Sequence, residues 1–169
     1  MFTRTKSKLD KLIKQGKKTT YLQLLPHLLK GRLNAFAPFV GAGIRVQTMD
    51  LDNGLCVVSM PLTRLNKSLD GAQFTGSMLM MTEPFLKLIL SHRLGRTYQV
   101  SDHSLQIEFL AETHSTVTAR MRIDTTEVMD IIHEAKQGTV MRSYEIVISD
   151  AHQKPIAKVT KSLMIRLIS

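Results

Sequence analysis

Residues 74–95, FTGSMLMMTEPFLKLILSHRLG, hold one acidic side chain inside a run otherwise apolar enough to be buried on all sides. That side chain is Glu83, followed at once by Pro84. A carboxylate in apolar surroundings has its charged form disfavoured, which suits it to general-base work. Gly76 stands seven residues earlier, about two helical turns, so the two positions can share one helix face. If a helix begins there, the amides of Gly76 and Ser77 are free N–H groups at its positive dipole end, a site for a developing oxyanion. The same residues allow an account without chemistry. Thr82 could cap a helix that starts at Glu83-Pro84, since acid and proline are both favoured in a first turn. Glu83 and Lys87 would then form an i,i+4 ion pair of small value. Spacing leaves both accounts open.

Other chemistry-bearing residues narrow the choice by what they lack. Cys56 is the sole cysteine and sits in the strand-like run LCVVSM, so no intramolecular disulfide or multi-cysteine metal site can form. His92, His114, His133 and His152 show no metal-ligand spacing, and no P-loop glycine motif occurs. No metal and no cofactor are therefore expected. Asp102 and His103 are adjacent at the head of a strand and read by themselves as a solvated rim. The ten methionines suit an adaptable apolar interior and serve equally as core filler.

These residues must be carried by a fold. The chain has 169 residues with 43% hydrophobic and 22% charged, which sets one domain with a substantial core. GIRVQTMDL and GLCVVSMPL flank Asp52-Asn53-Gly54, a strong hairpin signal. Residues 62–73 read as a polar loop and 76–94 as a long buried helix stopped by Gly95. SLQIEFLAE and TVTARMRID alternate as strands. TTEVMDIIHEAKQG reads as a short helix capped by Thr125 or Thr126 and stopped at Gly138. Two final strands flank residues 150–153. Short connections between strands favour an antiparallel sheet, and a helix apolar all round belongs in its concave face. Upstream, Leu22, Leu25, Leu29 and Leu33 form one helical stripe interrupted by Pro26, and residues 34–43 read as a connecting segment.

In this order the chain resembles the hotdog fold of acyl-CoA thioesterases and dehydratases, an α+β class in which an antiparallel sheet wraps one long central helix. The resemblance runs from about Asn34 to the C-terminus and is sharpest at 66–112. The phenylacetate-type thioesterase branch carries an Asn, a Gly, a His-Gly-Gly and a carboxylate nine positions after that His. The matching positions here are Asn66, Gly71, Phe74-Thr75-Gly76 and Glu83. The run FTGSMLMMTEPFLKLILSHRLG, followed by YQVSDHSLQIEFL, is closer still to an uncharacterised thioesterase-like hotdog family. The departures are Phe74 in place of the histidine that helps place a substrate carbonyl, and Thr75 in place of the first glycine.

The resemblance implies an acyl-CoA or acyl-carrier thioesterase in which Glu83 acts as base or nucleophile and the Gly76 and Ser77 amides hold the oxyanion. Asn66, Gly71, Phe74, Thr75, Asp102 and His103 would line the substrate cleft, and that cleft would be shared across a homodimer or a tetramer of dimers. A second implication is a non-catalytic acyl-CoA or lipid-binding protein, a sensor or regulator that kept the pocket after Phe74 replaced the histidine.

Charge separates the chain into an arm and a body. Residues 1–32 contain nine Lys/Arg and one Asp, whereas residues 33–169 contain fourteen Lys/Arg against thirteen acids. The expected organisation is a basic helical extension over 1–33 and a nearly neutral hotdog domain over 34–169. The arm could meet coenzyme A phosphates, an anionic membrane surface or nucleic acid. It is short for a complete helix-turn-helix module and sparse in aromatics, so nucleic acid fits least well. No apolar run reaches the length of a membrane span, residues 1–18 lack the apolar centre of a secretory signal, and the single cysteine suits a reducing compartment. The expected location is cytoplasmic.

Overall fold

The computed structural model describes residues 27–168. Helix α1 covers residues 27–34 and α2 covers Ala37–Ala42; β1 (Arg45–Asp50) and β2 (Leu55–Met60) follow. The central segment is α3 (Thr75–Met80) and α4 (Phe85–Leu94), then come β3 (Tyr98–Phe109) and β4 (Val117–Arg122). Helix α5 (Thr125–Glu134), β5 (Val140–Asp150) and β6 (Pro155–Leu167) complete the chain. The six strands make one sheet in the order β1-β2-β4-β5-β6-β3, every pairing antiparallel.

The β1–β2 hairpin forms where Asn-Gly predicts it. Gly54 has φ +66, and a Cβ there would lie 2.2 Å from the Ile123 carbonyl oxygen, so only glycine fits between this turn and the end of β4. The Asp50 carboxylate closes the turn, accepting the Asn53 backbone N–H at 3.1 Å and its side-chain Nδ2 at 2.8 Å.

The long helical segment lies against the sheet, burying Phe85, Leu86, Ile89, Leu90 and Leu94 in the shared core. It is not one continuous helix. Residues 81–84 form a turn, and α4 restarts at Phe85 directly after Pro84, whose missing N–H is harmless at a helix start. Thr82, fully buried, donates its hydroxyl back to the Leu79 carbonyl at 2.8 Å instead of capping α4.

Two further expectations change. Residues 34–43 hold α2, a short helix with Pro38 in its first turn and Gly43 (φ +70) as its left-handed stop. Its Phe39 packs on Phe85 with ring centroids 6.2 Å apart, closing one end of the core. Helix α5 is preceded by Asp124 in extended conformation, with neither threonine capping it, and it ends at Glu134 before Gly138. Leu29 and Leu33 of α1 pack against the core, and Asn34 bonds β1 by accepting the Val46 N–H at 2.7 Å. Leu22, Leu25, Pro26 and the rest of the expected arm up to residue 26 lie outside the described residues.

The HRLG sequence has a structural explanation. His92 Nε2 sits 2.7 Å from Asp52 on the hairpin turn. Arg93 donates to the Ile123 carbonyl at 2.8 Å and to Thr125 Oγ1 at 2.7 Å. The C-terminal turn of α4 is thereby fixed to the hairpin and to the β4–α5 junction.

Candidate active site

Glu83 lies in the turn between α3 and α4, with its side chain one-third exposed. It is not an isolated carboxylate. Its Oε1 accepts a hydrogen bond from the Nζ of Lys161, a side chain only 1% exposed in the middle of β6. Lys161 also reaches Asp102 Oδ1 at 2.9 Å, and the other Asp102 oxygen takes Lys87 Nζ at 2.7 Å. Two carboxylates thus meet two ammonium groups, and in place of the i,i+4 Glu83–Lys87 pair of the account without chemistry each carboxylate pairs across elements. The Asp102 carboxyl feels burial, which raises its pKa, but hydrogen bonds from Lys161 and Lys87 outweigh it and hold it below the ordinary value.

Strand geometry explains how these groups meet. On β6 the residues Ala157, Val159, Leu163 and Ile165 are buried on the inner face, and Lys161 falls in the same alternate row. On β3 the register slips by one residue between Asp102 and Ser104, making His103 the extra residue of a bulge. Asp102 therefore sits opposite Leu163, next to Lys161, while Leu105 after the bulge sits opposite Lys161 itself. His103 is exposed. Of that adjacent pair, the structure brings only Asp102 to Glu83.

The remaining candidates group elsewhere. Phe74 and Thr75 border a groove of about 500 Å³ that also contains Gln73, Met78 and Phe109. Glu83 borders a second, more apolar groove of about 580 Å³ between α1 and the central segment, walled by Leu29, Leu33, Met80 and Leu88. Gly76 and Ser77 border neither groove. The Phe74 ring lies over Gly76, where an added Cβ would be 2.8 Å from Phe74 Cε1. The close approach at Gly76 is thus occupied by the aromatic ring. The Ser77 N–H is bonded to the Phe74 carbonyl at 3.1 Å, so it is not the free amide that the helix-start reading expects.

Asn66 and Gly71 shape the loop before α3. Asn66 is buried, its Nδ2 donating to the Ala42 and Pro61 carbonyls at 2.8 and 2.7 Å, its Oδ1 accepting the Thr63 N–H at 2.6 Å and hydroxyl at 3.0 Å. All of its ordinary hydrogen-bonding capacity is used inside the protein, leaving nothing for a ligand. Gly71, at φ +89, takes the left-handed turn closed by its N–H to the Ser68 carbonyl at 3.0 Å.

Two functional-looking residues escape the sequence reading. Lys161 is one, and its signal was present: a lysine inside an otherwise apolar period-2 row. Gln73 is the other. Its Nε2 donates to the Met60 and Ser115 carbonyls at 2.9 and 3.0 Å, which pins the amide, and its buried Oε1 has no hydrogen-bond partner among the described residues. No group of three or more His, Cys, Asp or Glu suited to a metal ion occurs among the described residues.

Solved structures share the architecture. A Pseudomonas aeruginosa protein of unknown function, described as "Probable Thioesterase", superposes with TM-score 0.70 at 17% identity over 83% of this chain and 95% of that one. A thioesterase from Haemophilus influenzae gives TM-score 0.63 at 17% identity over 85% and 91%. A protein of unknown function from Chlorobaculum tepidum gives 0.68 at 15% over 87% and 96%. At such identities the likeness establishes the fold, and the fold is the hotdog. Among curated proteins none is significantly similar in sequence. The family model described as "Domain of unknown function (DUF4442)" matches residues 27–165, α1 through nearly all of β6, and the chain belongs to that family.

Proposed function

We propose that the protein hydrolyses an acyl thioester, with Glu83 activating water at the wall of an apolar groove that takes the acyl chain. The observation that carries this reading is the setting of Glu83. One oxygen is held by the buried Lys161, and Oε2 accepts no hydrogen bond among the described residues, so it is available to a water molecule or a thioester carbon. The positioning is rigid because Lys161 is enclosed by β6 and anchored a second time by Asp102. The thioesterase descriptions of two structural neighbours support the same reaction class.

Within one chain Glu83 and Phe74-Thr75 border different grooves, and among the described residues one edge of the 12-residue strand β3 has no neighbour. A homodimer joined along this edge remedies both: it pairs the open edge and lets Glu83 of one copy face the Phe74–Gly76 backbone of the other. In that arrangement the Gly76 amide is the oxyanion donor, and the carrier is coenzyme A or an acyl-carrier pantetheine.

A second reading rests on Phe74. Its ring covers Gly76, and Phe74 itself stands where the resemblance to the phenylacetate-type thioesterases would put a histidine. If the ring stays there when ligand binds, the protein is an acyl-CoA or lipid sensor without turnover. A panel of acyl-CoA esters assayed by thiol release, alongside equilibrium binding of the same esters, tests both. Thiol release supports the hydrolase; saturable binding without release establishes the sensor; neither binding nor release refutes both.

A further inference from the structure

We infer that residues 28–40 form a membrane-docking face that seats on a bilayer containing anionic lipid and holds the mouth of the Glu83 groove against it. The inference concerns where the groove opens and stands whether or not Glu83 performs hydrolysis.

Three large apolar side chains in this segment face solvent: Leu28 is 52% exposed, Phe36 51% and Val40 59%. Phe36 is held in place, its ring edge-on to the buried Phe39 with centroids 5.7 Å apart. Three solvent-facing apolar side chains of this size within thirteen residues, one of them fixed against the core, mark an interaction surface. Phe36 and Arg32 both border the apolar groove that contains Glu83.

Charge identifies what the surface meets. No Asp or Glu occurs from residue 11 to residue 49, a stretch with seven Lys/Arg, and residues 1–26, which lead directly into α1, hold seven Lys/Arg and one Asp. Two copies brought together through this face would set these like charges against each other, so self-association is disfavoured here. Nucleic acid would satisfy the charge but offers mainly phosphate, sugar and polar base edges to three apolar side chains. An anionic bilayer satisfies both, because its headgroup region attracts Lys and Arg while the acyl boundary accepts Leu, Phe and Val. Lys30 is already committed to the Gln47 carbonyl at 2.6 Å, so Arg32 is the cation of α1 best placed to meet a headgroup. A lipidic acyl chain could then pass from the bilayer between Leu29, Leu33, Met80 and Leu88 without crossing water.

The test uses the full chain and vesicles of phosphatidylcholine with or without phosphatidylglycerol, co-sedimented at low and high salt. The wild type should bind the phosphatidylglycerol vesicles, lose most of that binding at high salt, and ignore phosphatidylcholine alone. Arg32→Gln should weaken binding about fivefold, the worth of one charge near the surface. Leu28→Ser/Val40→Ser should weaken it about tenfold or more with an unchanged melting temperature and oligomeric state. If the double variant melts lower, the Arg32→Gln result decides alone. Three outcomes overturn the inference: variants that bind vesicles like the wild type, a double variant that loses its oligomeric state while keeping vesicle binding, or a wild type that binds duplex DNA in preference to the anionic vesicles.

Discussion

Replacing Lys161 with methionine separates the charge on this side chain from its bulk. Methionine keeps an unbranched apolar stem in the row of Ala157, Val159, Leu163 and Ile165, so packing changes little. What disappears is the ammonium shared by Glu83 and Asp102, leaving two carboxylates beside each other with only Lys87 paired to them among the described residues. Removing one member of a buried ion pair costs about 3–5 kcal/mol. Here the two carboxylates are 33% and 45% exposed and can take up water, so the low end applies, about 3 kcal/mol. For a chain of this size that is a melting-temperature drop of about 6–12 °C. The triple variant Lys161→Met/Glu83→Gln/Asp102→Asn removes the buried ammonium and both of its carboxylates, leaving only the part-exposed Lys87 of the group, and should recover most of the loss, since replacing buried ionic partners together is often neutral. Urea denaturation monitored by circular dichroism measures both. A Lys161→Met protein as stable as the wild type would refute the reasoning, because it would mean that the ammonium is not the partner of these carboxylates.

Three further outcomes follow from the same geometry. Asp102 has its carboxyl held below its ordinary value of 3.8, so its contribution to stability is present above that pH and lost as pH falls through the lower folded value. The stability gap between wild type and Asp102→Asn should accordingly be widest near neutrality and narrow below pH 3.8, and a gap independent of pH would contradict it. Gly54→Ala should cost about 1–3 kcal/mol from the left-handed backbone alone, with the contact to the Ile123 carbonyl added, and an unchanged urea midpoint would count against the turn as described. Burial, reinforced by Asp50, raises the Cys56 thiol to about 12, so a disulfide exchange reagent should modify it only in denaturant; rapid labelling of the native protein would show the strand is open.

The fold was legible because its signals are local. Asn53-Gly54 specifies the hairpin, alternation gives the strands, and the all-round apolar run from Met78 to Leu94 has only the sheet's inner face to occupy. Glu83 was legible for the opposite reason, as a residue that breaks its surroundings. Its partners were not. Asp102 shares the inward parity of Val100, but the bulge at His103 gives the following Leu105 and Ile107 the opposite parity, so alternation read from SLQIEFL alone places Asp102 on the outer face, and nothing in YQVSDHSLQIEF announces a bulge. Lys161 lies in the same strand as Lys158, and only the former shares the period of Val159 and Leu163. The loop residue Asn66 was assigned to ligand binding from motif position, yet its four internal hydrogen bonds depend on the distant Ala42 carbonyl and on the path of the 61–66 loop. Helix α2 was missed because a six-residue helix with Pro38 and Gly41 inside it and Gly43 directly after it is indistinguishable from a turn-rich connection.

The central claim is that Glu83 supplies the reacting carboxylate, and the direct measurement is thiol release from acyl-CoA by Glu83→Gln beside the wild type. Glutamine keeps the length and can still accept a hydrogen bond from Lys161 through its carbonyl oxygen, while Asp102 continues to hold the ammonium. Turnover should fall by about 10²–10⁴, the range for loss of a general base, with acyl-CoA affinity retained. A variant that turns over acyl-CoA at the wild-type rate would contradict the claim and reduce Glu83 to a structural partner of Lys161.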